Sequence, residues 1–211
     1  MGIEDERREY DYGKLTRDSL LNDPFKQFEQ WMKQALKADI QDPTAMSVTT
    51  VGHEGQPWSR MVLLKGFDHR GYVFYTNLGS RKARDIAANN KVCLHFPWLQ
   101  MDRQVIISGD AQPLSKDEVE SYFAGRPRAS KLAAWASKQS NPINSRGQLE
   151  QKFADIQQRF SDAEVPVPDF WGGYRVVPSM IEFWQGGESR LHDRFLYTLK
   201  KDDWQISRLE P

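Results

Sequence analysis

A chain of 211 residues is long enough for one domain that buries about 70% of its unfolded surface. Its 29 basic and 29 acidic side chains cancel. A general nucleic-acid binder carries a basic excess, so that class is disfavoured and any cation must act within a local cluster. A single cysteine, Cys93, sits in an apolar run and reads as a small buried hydrophobe. It cannot form an intrachain disulfide, which makes the cytoplasm the expected compartment. The charged start lacks an apolar signal core, and no apolar run reaches membrane-spanning length, so no membrane is expected.

Residues 1–18 read as a mobile arm ahead of a single domain at 19–211, either a solvated tail or a flap that closes on a ligand. Asp23-Pro24 opens a helix, with Asp as cap and Pro at the first helical position. Phe25, Phe28, Trp31, Met32, Ala35 and Leu36 recur at helical spacing and form an apolar face suited to covering a sheet. Residues 45–51 read as a strand, and residues 53–57 as its turn. Residues 60–66 form the next strand, with Arg60 and Lys65 at opposite parity. On a regular strand they face opposite ways, which leaves either two separate anions or a bulge that unites them. Asp68-His69-Arg70-Gly71 is a turn and residues 72–76 a further strand. Ser80 is placed to cap a helix whose first turn carries Arg81 and Lys82. The helix dipole disfavours cations there, so a bound anion, most simply phosphate, competes with a solvated basic helix start as the reading.

Strands follow at 91–98 and 103–114, with polar Gln104 at the start of an apolar run. Ser115 and Glu118 have capping-box spacing and open a helix to Phe123. Gly125-Arg126-Pro127-Arg128 breaks it before a helix at 129–138. Tyr122, Arg126 and Ser130 are four apart, and a kink or helix–turn–helix still lets two hydroxyls and a guanidinium converge on a phosphate, with a solvated face as the ordinary alternative. Ser145 and Gln148 begin a helix to about Phe160. Two strands are expected near 174–177 and 180–184, and two more at 192–199 and 204–209. Many strands interrupted by helices suggest a mostly antiparallel β barrel with peripheral α-helices. After the Gly186-Gly187 bend, Arg190, His192 and Arg194 alternate and would share one strand face, with Asp193 turned away. Three potential cations on one face require either a salt-bridge ladder or an anionic ligand. The four histidines lie far apart with no cysteine pair, so no metal site is read.

Glu182-Phe183-Trp184, a five-residue gap, then Arg190-Leu191-His192-Asp193-Arg194 resembles the C-terminal motif of the pyridoxamine/pyridoxine 5′-phosphate oxidase family. The resemblance extends to residues 60–65, Tyr75-Thr76, Ser80-Arg81-Lys82, Arg103-Gln104, Gly125-Arg126-Pro127, Lys138-Gln139-Ser140 and Phe170-Trp171-Gly172-Gly173. It spans nearly all of the chain beyond Asp23. It implies the FMN-binding split-barrel fold, a homodimer with FMN sites at the subunit interface, and oxidation of pyridoxine or pyridoxamine 5′-phosphate to pyridoxal 5′-phosphate. Dioxygen would be reduced to hydrogen peroxide.

By that resemblance FMN would be held by Arg60, Met61, Val62, Leu63, Leu64, Lys65, Tyr75, Thr76, Arg81, Lys82 and Gln104, with Gln139, Ser140, Trp184 and Arg194 completing the site. Arg194 would be the cation near the reduced flavin. The substrate would be met by Lys65, Tyr122, Arg126 and Ser130 at its phosphate, and by Arg190, Leu191 and His192 at its ring. Arg190 and His192 would be catalytic, and Arg7, Arg8, Glu9 and Tyr10 would close over the occupied site. The alternative from another class is a non-catalytic split-barrel protein that binds flavin or vitamin B6 phosphate. A flavin reductase and a ligand-free structural dimer are further alternatives.

Overall fold

The computed structural model describes residues 2–5 and 8–211. Among the described residues nine strands are joined in one sheet: β1 Ala45–Val51, β2 Pro57–Leu63, β3 Gly66–Asp68, β4 Gly71–Asn77, β5 Lys91–Trp98, β6 Arg103–Pro113, β7 Trp171–Gln185, β8 Asp193–Lys200 and β9 Asp203–Leu209. Five α-helices accompany them: α1 Pro24–Lys37, α2 Arg81–Ala88, α3 Lys116–Ala124, α4 Arg128–Ala136 and α5 Arg146–Arg159. Every strand pairing among the described residues is antiparallel.

The order β2-β1-β5-β6-β7-β4-β3 places β2 and β3 at opposite ends of the main sheet. Only Leu64 and Lys65 separate them in sequence. Two residues span less than about 11 Å, so the sheet has to curl until its ends meet. Leu64 N–H donates to Thr44 at 2.9 Å and Lys65 N–H to Val73 at 2.8 Å, so consecutive residues bond to opposite ends of the sheet. The strand expected at 60–66 is therefore two strands. The parity argument for Arg60 and Lys65 lapses at that crossing.

The two strands expected between 174 and 184 are one long strand. β7 pairs with β6 along its length, with β4 through its first half and with β8 through its second. A bulge at Ser108/Gly109 absorbs the curvature. β8 begins at Asp193, one residue later than expected, and Arg190 lies off the sheet in a 3-10 turn, Glu188–Arg190.

Inward-facing Met46, Val48, Phe74, Leu94, Phe96, Val105, Ile107, Ile181 and Phe183 are fully buried. Helix α1 closes over them. Asp23 caps it by accepting from Phe25 N–H at 2.8 Å, and Pro24 occupies the first turn. Phe28 packs edge-on against Tyr72, Phe67 and Phe96 at 4.9–5.0 Å, and Trp31 against Phe183 at 5.2 Å. Each such buried ring contributes roughly 1.5–3 kcal/mol. Leu36, expected on this face, is instead exposed. Leu15 and Leu20 join the core, so the N-terminal arm is anchored at its base. No helix among the described residues is long and apolar enough to cross a membrane.

Gly71 has φ +137°, and a Cβ there would lie 2.2 Å from the Val176 carbonyl oxygen. It ends the β3–β4 hairpin where β4 pairs with β7. Gly71→Ala is expected to destabilise the fold by roughly 1–3 kcal/mol, seen as a lower urea midpoint at unchanged slope. A midpoint equal to that of the parent chain would contradict this register.

Candidate active site

A cavity of about 420 Å³ lies between the β2 and β4 wall and helices α3 and α4. Met61, Val62, Leu63 and Lys65 line one side, where the chain crosses between the two ends of the sheet. Tyr75 and Thr76 come from β4 and Lys82 from α2. Tyr122, Arg126 and Ser130 come from the α3–α4 corner, and Gln139 from the loop after α4. Asn77 Nδ2 donates to the Ser137 carbonyl at 3.2 Å and ties that loop to β4. The structure thus gathers eleven of the predicted site residues from separate elements into one cavity.

Lys82 is the most informative of them. Its side chain is buried, and its Nζ donates to Thr76 Oγ1 at 3.0 Å and Gln139 Oε1 at 3.3 Å, both neutral oxygens. Burial, with the neighbouring Arg60 charge, lowers its pKa from 10.5 to about 8. Arg60 lies between β1 and α2: Nη1 donates to Thr50 Oγ1 at 2.6 Å, and Nη2 lies 3.6 Å from Asp85 Oδ2. Arg60 Nη2 is buried without a hydrogen-bond partner, and burial lowers this guanidinium's pKa against the pull of Asp85. Ser80 is fully buried, but its hydroxyl does not cap α2; it lies 3.5 Å from Thr76 Oγ1. A buried ammonium and a buried guanidinium edge, both short of acceptors beside a helix N-terminus, fit a phosphate. The donor set therefore suits a phosphate-bearing cofactor.

Arg126 makes the second half of the cavity. Its guanidinium lies 4.7 Å from the Trp171 ring, Nη2 donates to the Ser130 carbonyl at 3.2 Å, and Nε is buried without a partner. Burial lowers its pKa. Tyr122 stacks on Tyr75 at 3.8 Å and is parallel to Trp171 at 6.0 Å. Burial raises the pKa of both phenols, so each remains a neutral donor at neutral pH.

The remaining predicted residues do not line this cavity. Leu64 is buried in the core. Arg81 stacks over Trp58 at 4.1 Å and lines a separate surface hollow with His53, Arg84 and Asp85. Ser140 takes a left-handed conformation, φ +68°, in the loop beside Gln139. Gln104, Trp184 and Arg194 form a row across β6, β7 and β8 on the sheet's outer face. His95 Nε2 lies 2.9 Å from Gln104 Oε1.

Trp184 belongs to a second cluster. Its ring lies 4.7 Å from His192, and Tyr10 packs edge-on to both at 5.8 and 5.3 Å. Arg190 reaches to 5.3 Å from the Tyr10 ring, while Leu191 is exposed. Gly187 N–H donates to His192 Nδ1 at 3.2 Å, which leaves the ring proton on Nε2. Burial and the charges of Arg190 and Arg194 lower the His192 pKa, so His192 is neutral rather than a third cation. Arg194 is paired with Glu182 at 2.8 and 3.2 Å. Asp193, expected to turn away from these three, pairs with Arg208 and accepts from Leu15 N–H at 3.0 Å. The expected shared face fails because Ser189 and Arg190 are both left-handed, φ +53° and +64°, in the turn before the strand. Such residues cost on the order of 1–2 kcal/mol each, and that strain is stored where Arg190 is presented.

The arm folds over this cluster. Glu9 accepts from Ser189 N–H at 3.2 Å, and Arg8 pairs with Asp102 and donates to the Leu99 carbonyl. Arg7 lies outside the described residues. Asp102 is buried and left-handed, φ +50°, and its carbonyl accepts from Gly186 N–H at 2.7 Å. Buried Gln185 links Asp102 to Arg103, which ties the β5–β6 turn to the start of the Gly186 bend. Sequence reasoning did not find Asp85, Asp102 or Gln185. Asp85 stands four residues after Arg81, a spacing that points to a pair within the helix; the fold gives it to Arg60 instead.

Residues 32–160 match the family model for pyridoxamine 5′-phosphate oxidase. Residues 171–211 match that for the pyridoxine 5′-phosphate oxidase C-terminal dimerisation region. The chain is 56% identical over 212 residues to a pyridoxine/pyridoxamine 5′-phosphate oxidase of Pseudoalteromonas translucida, covering 100% of both chains. It is 58% identical over 209 residues to that of Shewanella oneidensis, covering 99% of both. Among solved structures, PhzG from Burkholderia lata, in complex with tetrahydrophenazine-1-carboxylic acid, has a TM-score of 0.87 at 29% identity, covering 92% of this chain and 95% of that one. A pyridoxamine 5′-phosphate oxidase-related, FMN binding protein from Nostoc punctiforme has a TM-score of 0.72 at 17% identity, covering 91% of this chain and 100% of that one, a likeness of fold. The split-barrel architecture, the matched regions and full-length identity above one half agree: this chain belongs to the pyridoxamine 5′-phosphate oxidase family.

Proposed function

We propose that this protein oxidises pyridoxine 5′-phosphate and pyridoxamine 5′-phosphate to pyridoxal 5′-phosphate, using FMN and dioxygen and releasing hydrogen peroxide. One observation carries the reading beyond family membership. A single cavity holds two groups of phosphate-seeking side chains, Lys82 with Thr76 and Gln139, and Lys65 with Tyr122, Arg126 and Ser130. A cofactor phosphate and a substrate phosphate would fill them, with Arg60 supporting the first from behind.

FMN, when bound, would supply the hydride acceptor that dioxygen then reoxidises. The protein's own residues do the positioning. Lys65, Tyr122, Arg126 and Ser130 would fix the substrate by its phosphate, and Met61, Val62 and Leu63 provide apolar lining. Arg190 would orient the pyridine ring, and neutral His192 offers its Nε2–H as a donor. Tyr10, already packed on Trp184 and His192, would exclude water from the occupied site.

Arg190, His192, Trp184 and Gln104 do not line the phosphate cavity of the same protomer. A homodimer would unite the two clusters. Met61, Leu63 and Met180 leave apolar surface exposed on the outer sheet face, and the last strands match a dimerisation region, which supports that arrangement.

Aerobic incubation with either phosphate ester should yield aldehyde and peroxide in equal amounts. Arg126→Gln should raise KM roughly 10–100-fold while FMN stays bound. Neither peroxide nor aldehyde from FMN-loaded protein would overturn the assignment.

Lys82 makes the cofactor site pH-sensitive. Its folded pKa lies below its unfolded value, so without an anion the fold gains stability as pH rises from about 8 toward 10.5. Anion affinity runs the other way, because it needs the ammonium. FMN affinity, read from flavin fluorescence between roughly pH 7 and 9.5, should fall as pH passes about 8. Lys82→Met should bind about 10–100-fold more weakly at pH 7, with that pH dependence lost. An affinity flat with pH in the parent protein would contradict the role of this lysine.

A further inference from the structure

Two rows of side chains meet behind the phosphate cavity. Along β7, Trp171, Gly173 and Arg175 alternate and share one face. Along α3, Glu118 and Tyr122 are four apart and share another, with Arg126 just beyond the helix end. The rows run in opposite directions against each other. Arg175 Nη2 donates to Glu118 Oε1 at 2.8 Å, Tyr122 lies parallel to Trp171, and Arg126 sits over the Trp171 ring. At Gly173 a Cβ would fall 2.8 Å from the ring of Tyr75, which itself stacks on Tyr122, so glycine leaves room for that ring.

Glu118 is held from both sides. Its Oε2 accepts from Ser115 N–H at 3.0 Å and Ser115 Oγ at 2.9 Å, completing the α3 capping box, while Oε1 takes Arg175. These bonds hold the Glu118 carboxyl below the usual carboxylate range, the cap contributing most. Arg175 Nη1 reaches Asp68 Oδ1 at 3.2 Å, three residues beyond Lys65. The Arg175 side chain is 12% exposed and does not line the cavity. Rotation of α3, or a shift of β3, would break one arm of this fork and leave a largely buried guanidinium short of a partner.

We propose that Arg175 is a positioning residue for the substrate phosphate, clamping α3 and β3 so that Tyr122, Arg126 and Lys65 face one point. The inference rests on reading those three residues as the substrate-phosphate cluster. Its test uses the FMN-loaded enzyme carrying Arg175→Met, Arg175→Lys, Glu118→Gln or Arg175→Met with Glu118→Gln. Pyridoxal 5′-phosphate and unphosphorylated pyridoxal serve as competitive inhibitors.

In Arg175→Met the KM for pyridoxine 5′-phosphate and the inhibition constant of pyridoxal 5′-phosphate should each rise about tenfold. The kcat should stay within about twofold, and the pyridoxal constant and FMN content should not change. Glu118→Gln should show a milder form of the same pattern, the double variant should be no worse than Arg175→Met, and Arg175→Lys should recover part of the loss. Equal weakening of both inhibitors, or an unchanged KM, would overturn the clamp. If Arg175→Met fails to fold, the comparison of the two inhibitors in Glu118→Gln and Arg175→Lys decides in the same way. Arg126→Gln separates the two readings: no effect there sinks the phosphate cluster itself, whereas an effect there with none at Arg175 sinks only the clamp.

Discussion

Positive charge buried without enough negative charge beside it is the constraint on which this site depends. Lys82 has two neutral oxygens for partners, and Arg60 shares Asp85 at 3.6 Å while one of its nitrogens lacks an acceptor. A buried ammonium in that setting loses several kcal/mol of solvation that hydroxyl and amide oxygens only partly return. The fold tolerates it because the barrel wall and α2 hold the lysine in place. A dianionic phosphate would repay the deficit, so the same feature that weakens the empty protein selects its ligand.

Topology supplies the second ingredient. The main sheet must close because β2 and β3 are two residues apart in sequence and at opposite ends of the strand order. That closure carries Lys65 out of the strand and into the cavity, across from Tyr122 and Arg126. Long β7 then serves both clusters. Its first half carries Trp171, Gly173 and Arg175 behind the phosphate cavity, and its last residues carry Trp184 and Gln185 beneath the docked arm. One rigid strand thus fixes two groups of side chains that would work on one substrate only when a second subunit brings them together.

Elements with strong local chemistry were legible in the sequence. The Asp23-Pro24 start, the Ser115–Glu118 capping box and the Asp68–Gly71 turn all rest on bonds between residues a few positions apart. The basic start of α2 reads as either an anion site or a solvated helix start, and the structure adds the burial of Lys82 that periodicity does not show. Misreadings came where tertiary bonds override local pattern. Residues 61–64 are an unbroken apolar run between Arg60 and Lys65, so nothing local marks the crossing at Leu64 and Lys65. Alternation predicts one strand face for Arg190, His192 and Arg194, but two left-handed residues and the bond from Gly187 to His192 turn the chain first. Asp102 and Arg175 were missed for the same reason. Their partners, Arg8 and the Asp68–Glu118 pair, are tens of residues away, and only the folded register brings them into contact.

The most direct measurement compares FMN with riboflavin, which has the same ring system and no phosphate, binding to the flavin-free protein in a calorimeter. If buried cation deficit defines the site, FMN should bind at least about 100-fold more tightly, since two or more charge-assisted bonds depend on its phosphate. Equal affinity for the two flavins would contradict the account.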